Sequence, residues 1–435
     1  MYDLVKFTPE NGALRYLTIL ATDATEQQLY DYRFDANDHS NIHFFNADKS
    51  ALFAKSLIND KGQRRGIEKI GFLSRDFSQS RPSGQLAEEF FRLLHEYAEA
   101  NGLKVFFYTP FNKTTALFKT FATLRQARTV NGLARLIYQD ELDILIDMQG
   151  HMHSNFNNAL IQKPAPIIMH WLGYPGTTGF REVDYLFADE TVVPLASRQY
   201  YREKIIYLPN CYQINNPKLL VSESMYKRSD FEYPEGDEYV LFAHFNDSYK
   251  VDKETWILWC KILTRIPNSR LVFLSRQAKE NEMMINDAVE RGVQREQLIV
   301  TKRLPRQQHI HRLALLNIGL DPYYCNGHTT SSDLIAAGRP FVTRPGETYQ
   351  SRVALSILRS LDLEELAAKS EDEYVEIAVK LATDREYYRQ ICDKIVRNRT
   401  LTLYNPSLYL GEWLRAINNV WKNHIWGGGG GQLSP

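Results

Sequence analysis

Short apolar runs rich in β-branched and aromatic residues alternate with stretches of helical period from about residue 67 onward, and the alternation runs through the chain twice. The first pass gives strand candidates at IEKIGFL (67–73), LKVFFYT (103–109), LDILIDM (142–148) and PIIMHWL (166–172). Between the first two, Leu86, Phe90, Leu94 and Tyr97 recur at helical spacing, and Asn101-Gly102 closes the predicted helix. A loop of turn formers and charges, SESMYKRSDFEYPEGDE (222–238), interrupts the pattern. It restarts with YVLFAHF (239–245), RLVFLS (270–275), QLIVT (297–301) and NIGLD (317–321), separated by helical stretches near 253–265, 278–291, 308–316 and 330–338. Strand, helix, strand, helix demands a parallel sheet covered on both faces, here twice over. The expected organisation is an α/β lobe at 66–221, a second at 222–385 and closing helices at 386–426. Residues 1–65 join neither repeat and are expected as an appended region, and the GGGGGQLSP end makes 427–435 a flexible tail.

Composition narrows the function. The 435 residues leave room for two or three domains, and 44% hydrophobic with 24% charged residues is the mix of a globular protein. Lys+Arg 52 against Asp+Glu 52 gives zero formal charge, so binding along a nucleic-acid backbone is not favoured. Cys211, Cys260, Cys325 and Cys392 form no closely spaced pair, which argues against a disulfide framework or structural zinc and for a reducing compartment. The start, MYDLVKFTPENG, lacks the basic and apolar stretches of a signal peptide, and no run approaches the ~18 apolar residues of a membrane span. A cytoplasmic location without membrane attachment is the expectation.

In open parallel sheets, ligands lie at the carboxyl ends of the strands, so the loops there are where chemistry is sought. In GLDPYYCNGHTTSSDLIAAGRP (319–340) a strand ends at Asp321 and Thr329-Thr330 open a helix, whose free amides and two hydroxyls suit phosphate oxygens. Gly327 would let a large anion approach the backbone, and Asp333, one turn in, would reach ribose hydroxyls. A helix start after a turn often binds nothing, and an N-capped helix without a ligand fits the same residues. In FAHFNDSYKVDKETW (242–256), Lys250 stands between a strand end and a helix opened by Asp252, where a cation can stabilise a leaving diphosphate. A solvated lysine is the commoner fate of this residue type. LGYPGTTG (172–179) is a glycine-rich turn able to press on a ligand ring, and His151, ending IDMQGH, falls on the same rim, though a lone histidine is more often structural. In RLPRQQHIHR (303–312), the His309 ring can stack on a base while Leu304 backbone groups read its edge; a solvent-exposed helix start fits the same residues. No Asp-x-Asp triplet occurs, so amides and a cation are expected where single-sheet glycosyltransferases hold a divalent metal.

In this order the segments resemble the catalytic region of the O-GlcNAc transferase family and its bacterial relatives, over roughly residues 67–424. The resemblance is carried by LGYPGTTG, YREKIIYLPNCYQ (201–213), HFNDSYK, CNGHTTSSD, RPGETYQSR (344–352) and EYVEIAVKLATD (373–384). It implies a glycosyltransferase B type fold, with two Rossmann-like lobes facing across a cleft, and a UDP-sugar donor, UDP-GlcNAc first among them. It further implies that Lys250 contacts the β-phosphate, Thr329 and Thr330 the pyrophosphate, and Asp333 the ribose, with Arg306 standing where the family has lysine. By the same resemblance His309 stacks on uracil, Leu304 reads it, and Cys325, His328, Leu172 and Gly173 border the sugar.

Three departures bear on activity. The family's Asp-Phe-x-x-His run reads DFSQSRPSGQ (76–85), so Asp76 is kept while Ser80 or Arg81 fills the histidine position. The glutamine ahead of the lysine is Asp247, and no tetratricopeptide repeat occurs in these 435 residues. The expected function is an inverting, metal-independent transfer of a sugar to an acceptor protein or peptide, at Ser/Thr hydroxyls, with Asp76, Lys250 and His151 as catalytic candidates. A sugar-nucleotide sensor without catalysis competes with it, as does a glucosyltransferase acting on Asn or a non-protein acceptor.

Overall fold

Along β1 (Lys69–Leu73), β2 (Lys104–Thr109) and β4 (Ile144–Asp147), alternate residues enter two separate cores. Ile70, Phe72, Phe107, Ile144 and Ile146 pack in one, and Leu73, Phe106, Tyr108 and Leu145 in the other. A strand buried on both faces has no polar side to show, which is why these segments read as continuous apolar runs. The computed structural model describes residues 65–78, 80–110, 114–152, 155–274 and 277–426. Residues 1–64 of the expected appended region, and the expected tail at 427–435, lie outside the described residues.

The N-terminal unit comprises 65–216 together with the last helix, Pro406–Trp426. Its seven strands include β3 (Thr123–Gln126), β5 (Ile167–His170), β6 (Tyr185–Ala188) and β7 (Lys204–Tyr207). They form one sheet in the order β3-β2-β1-β4-β5-β6-β7 with every pairing parallel. On one face lies α1 (Pro82–Asn101), which starts on a proline and ends at Gly102 with φ 69, its N–H bonded to Ala98 O. Phe90, Phe91 and Leu94 of α1 share that core with Trp413, Ile417 and Trp421 of the last helix. The other face is covered by α2 (Val130–Gln139) through Leu133, Ala134 and Ile137. Chain connectivity reverses between β1 and β4, so the crevice at their carboxyl ends is where such a sheet offers a site.

The C-terminal unit, Pro217–Asn405, repeats the plan with five strands. They are β8 (Val240–His244), β9 (Ser269–Leu274), β10 (Leu298–Thr301), β11 (Ile318–Leu320) and β12 (Phe341–Val342), parallel in the order β10-β9-β8-β11-β12. Its helices are α3 (Lys253–Arg265), α4 (Ala278–Glu290), α5 (Arg306–Leu313), α6 (Thr329–Ala336), α7 (Val353–Arg359), α8 (Glu371–Thr383) and α9 (Arg385–Asn398). Asp252 caps α3 by accepting from Thr255 N, as its position in the sequence suggests. Here the connectivity reverses between β8 and β11.

Contacts divide the described chain at Pro217 rather than 222, and they split the expected group of closing helices. Helix α9 stays with the C-terminal unit. The last helix, α10 (Pro406–Trp426), packs on the N-terminal sheet, where Trp413 stacks on Phe187 at 5.9 Å between centroids.

Candidate functional site

Two loops meet at the switch point of the C-terminal sheet. After β8, Asn246 and Asp247 lead into one tight turn, Ser248–Lys250. After β11, the chain runs from Asp321 to the start of α6. The Lys250 ammonium donates to Asn326 O at 2.8 Å and lies 3.5 Å from Asn246 Oδ1. Burial works against its charge, but Cys325, Tyr249, Asp321 and Asp247 more than offset this and hold its pKa above the ordinary 10.5. Beside it α6 opens with His328 at the N-cap and no side chain capping the first amides. A fixed cation next to uncapped helix amides, with Thr329 and Thr330 half-buried there, is an anion site in charge and geometry. Cys325 is buried against Lys250, and burial raises its thiol pKa. Burial and then Lys250 keep His328 neutral, its pKa well below 6.5, and its Nε2 has no protein partner.

The loop is held from beneath by Asp321. Its Oδ1 accepts from Gly327 N at 2.6 Å and Ser331 Oγ at 3.4 Å, and its Oδ2 from Thr343 Oγ1 at 2.8 Å. Burial pushes this carboxyl up to about 7 against those hydrogen bonds. Gly327 therefore differs from the expectation that its backbone lies open to an anion: its N–H is spent on Asp321. A Cβ there would stand 2.4 Å from Ser331 Oγ, so close packing explains the glycine.

Helix α5 supplies the next group. Arg306, its first residue, grips the buried Asp333 with both terminal nitrogens, Nη1 to Oδ2 at 2.5 Å. Burial pushes Asp333 up to about 7, with Arg306 opposing the shift. Both carboxylate oxygens already have donors, so a ribose hydroxyl would share Asp333 with Arg306. His309 accepts from Arg312 Nη2 on Nδ1 at 2.8 Å and stands edge-on to Phe245 at 5.0 Å. Burial, then Arg312, Arg306 and Arg303, lower its pKa to about 3, which makes it a neutral flat ring at any ordinary pH. Leu304 is half-buried in the link between β10 and α5.

The N-terminal unit brings its candidates to the ends of β1, β4 and β5. Asp76 follows β1 in a tight turn, its N–H bonded to Ser74 Oγ at 3.0 Å and its carbonyl to Ser78 N at 2.7 Å. Ser80 is exposed, 2.8 Å from Ser78 Oγ, and Arg81 is the N-cap residue of α1, so neither supplies an imidazole's chemistry. His151, expected as catalytic, is only 6% exposed. Its Nε2 lies 2.6 Å from Thr178 O, and its ring packs against Tyr174 and Phe180. That environment also suits a structural histidine, the commoner fate of a lone one, and none of these contacts carries a catalytic part for His151. Leu172 has φ 76, a left-handed conformation that costs a non-glycine residue roughly 1–2 kcal/mol. Next to it, a Cβ on Gly173 would lie 2.0 Å from Met148 O. The turn is therefore pressed onto the end of β4, anchored by Trp171 Nε1 donating to Tyr409 Oη at 2.7 Å.

The sequence profile described as glycosyl transferase family 41 matches residues 43–230 and 220–412, spanning both sheets. The chain belongs to glycosyl transferase family 41. Among curated relatives, "Probable UDP-N-acetylglucosamine--peptide N-acetylglucosaminyltransferase SEC" of Arabidopsis thaliana is 36% identical over 308 residues, covering 69% of this chain and 31% of that protein. The "UDP-N-acetylglucosamine--peptide N-acetylglucosaminyltransferase" of Caenorhabditis elegans is 25% identical over 491 residues, 86% of this chain and 42% of that one. The family-41 chain thus spans about a third of the first and about two fifths of the second. A mutant O-GlcNAc transferase from Thermobaculum terrenum shares the fold with a TM-score of 0.82 at 22% identity, covering 95% of this chain and 78% of that one. A lipopolysaccharide outer core galactosyltransferase reaches 0.51 at 12% identity, over 81% and 99%. The two parallel α/β units are those of a glycosyltransferase B type fold.

Sequence reasoning missed the support beneath the N-terminal rim. His170 is fully buried, with Nδ1 2.9 Å from Asp147 Oδ2 and Nε2 2.8 Å from Tyr174 O. Both ring nitrogens face oxygen acceptors, an arrangement that favours the doubly protonated ring. Burial opposes that charge, but Asp147, Tyr174 O and Glu203 together raise the pKa above 6.5. Asp147 also accepts from Gln149 N and Gly150 N, so one ion pair ties the loop after β4 to the turn after β5. A histidine inside an apolar run, with its partner 23 residues away, gives no local signal. Because its folded pKa is raised, the pair's stabilisation is complete below the ordinary imidazole value and is lost as pH rises through the folded value. His170→Phe is expected to cost about 3–5 kcal/mol near neutral pH. In urea unfolding at a series of pH values, the wild type should lose stability toward alkaline pH by a step that the variant lacks.

Proposed function

We propose that this chain is the catalytic region of an inverting, metal-independent glycosyltransferase moving GlcNAc from UDP-GlcNAc to Ser/Thr hydroxyls of acceptor proteins. The carrying observation is Lys250, held on Asn326 O beside the uncapped start of α6 in a family-41 chain. The acceptor oxygen attacks the anomeric carbon in line, the bond to UDP breaks, and the acceptor proton passes to Asp76, directly or through water, or to the donor phosphate. Lys250, the α6 amides and the Thr329 and Thr330 hydroxyls receive the charge of the departing diphosphate. His309, held neutral, stacks on uracil, with Leu304 reading the base edge and Arg306–Asp333 taking the ribose. Cys325, His328, Leu172 and Gly173 border the sugar. All four cysteines are free thiols, which suits the cytoplasm as the place of action.

Incubation with several UDP-sugars and a host lysate, followed by intact-mass and peptide analysis, tests the reading. A gain of one N-acetylhexosamine on serine or threonine supports it; hexose on asparagine or on a small molecule replaces it with a glucosyltransferase. Binding of UDP-GlcNAc without transfer to any acceptor favours a sensor, the second reading, which rests on Ser80 and Arg81 standing where the family has histidine. EDTA is expected to leave the rate unchanged, because a lysine and helix amides neutralise the diphosphate. A rate recovered only with added manganese or magnesium refutes that part.

A further inference from the structure

We infer that Arg303 and Asp247 form a charge-balancing pair beside the diphosphate position, which lets this chain carry a carboxylate three residues before Lys250. The inference rests on the UDP-sugar reading above and assigns two residues which that reading leaves without a role.

Asp247 opens the turn that delivers the lysine, its carbonyl accepting from Lys250 N at 3.0 Å. Its carboxylate is among the charges that act on Lys250. Arg303 lies in the link after β10, directly before Leu304, and its charge acts on His309. The two meet with Arg303 Nη2 at 2.6 Å from Asp247 Oδ1. In sheet order β9 separates β10 from β8, so this contact joins loops that are not neighbours. Through Asp247 the pair is tied to the turn that carries Lys250, and through Arg303 to the link that leads into the helix of His309.

Stability does not account for the pair. Arg303 is 73% exposed and Asp247 36%, and ion pairs that open to water add little to folding. An incoming diphosphate changes the balance. Its charges approach Lys250 and are repelled by Asp247, at a separation where exposed charges still interact in dilute salt. A carboxylate so near the lysine would weaken donor binding unless a cation accompanies it. Arg303 is that cation, and it acts through Asp247 as a positioning and specificity residue.

A double-mutant cycle on the whole chain decides this, read as UDP affinity by titration calorimetry in dilute buffer and again near 0.5 M salt, where the Debye length falls below about 5 Å. Arg303→Ala is expected to weaken UDP binding by about 3–10-fold in dilute buffer and by much less in salt. Asp247→Asn should bind at least as well as wild type, and the double variant should return to within about twofold of Asp247→Asn. Melting temperatures should be the same for all four proteins, which separates the effect from a structural one. If the double variant stays as weak as Arg303→Ala, Arg303 touches the ligand itself and the inference fails. It fails equally if Arg303→Ala binds as wild type does in dilute buffer. A wild type that binds no UDP overturns the functional reading along with it, whereas binding with an additive cycle overturns this inference alone.

Discussion

Lys250→Ala is expected to lower turnover by about 100–1,000-fold while donor affinity falls only several-fold. The asymmetry follows from when charge appears. In the bound donor the diphosphate already carries its negative charge, shared with the α6 amides. As the glycosidic bond breaks, the leaving oxygen gains more, and the group nearest a fixed ammonium benefits most at that moment. Lys250 is fixed: its Nζ bonds to Asn326 O, and Cys325, Tyr249, Asp321 and Asp247 hold its pKa up against burial. The measurement is kcat and KM for the donor, with UDP affinity determined separately and melting curves to confirm that the loop survives. A loss confined to donor binding, with kcat unchanged, would mark a ground-state contact, and the transition-state role would go to the amides alone.

How much of this was legible in the sequence depended on segment length and on the sequence distance between partners. LKVFFYT and YVLFAHF announce strands because enough apolar residues stand together. β3, β6 and β7, at four residues each, are too short to declare a period, and β12 has two. The loop after β11 was readable as strand end, turn and helix start because the three are contiguous from Asp321 to Asp333. The groups that set its electrostatics were less so. Arg306 and Asp333 are 27 residues apart, and nothing local says that one consumes the other's oxygens. The return of α10 to the N-terminal unit was equally hidden, since Trp413 and Trp421 read as helix residues without saying which sheet they cover. Leu172 shows the same limit at a single position, because a leucine in a left-handed turn looks like the end of the strand before it. Gly173 after it was the available hint.

Asp76→Asn is expected to remove most transfer, by about 100–10,000-fold, the range for a general base. The residue stands after β1 at the reversal of the N-terminal sheet, where the crevice opens. A carboxylate in such a turn has an ordinary structural occupation, which is to accept main-chain N–H bonds. The Asp76 main chain is held in the turn, its N–H on Ser74 Oγ and its carbonyl on Ser78 N, and asparagine keeps both bonds. Asparagine is also nearly isosteric with aspartate, so the substitution removes the acid–base group while the size of the side chain is kept. UDP affinity should be unchanged, because Lys250, Thr329, Thr330 and His309 all belong to the C-terminal unit. The motif histidine being absent, Asp76 is the group in that segment with the chemistry to take an acceptor proton. A wild type that transfers sugar beside an Asn variant of equal rate would place the base elsewhere, and the donor phosphate would then be the better candidate. A variant that loses transfer but also loses UDP binding would instead return Asp76 to a structural role, since no proton transfer is needed to hold a nucleotide.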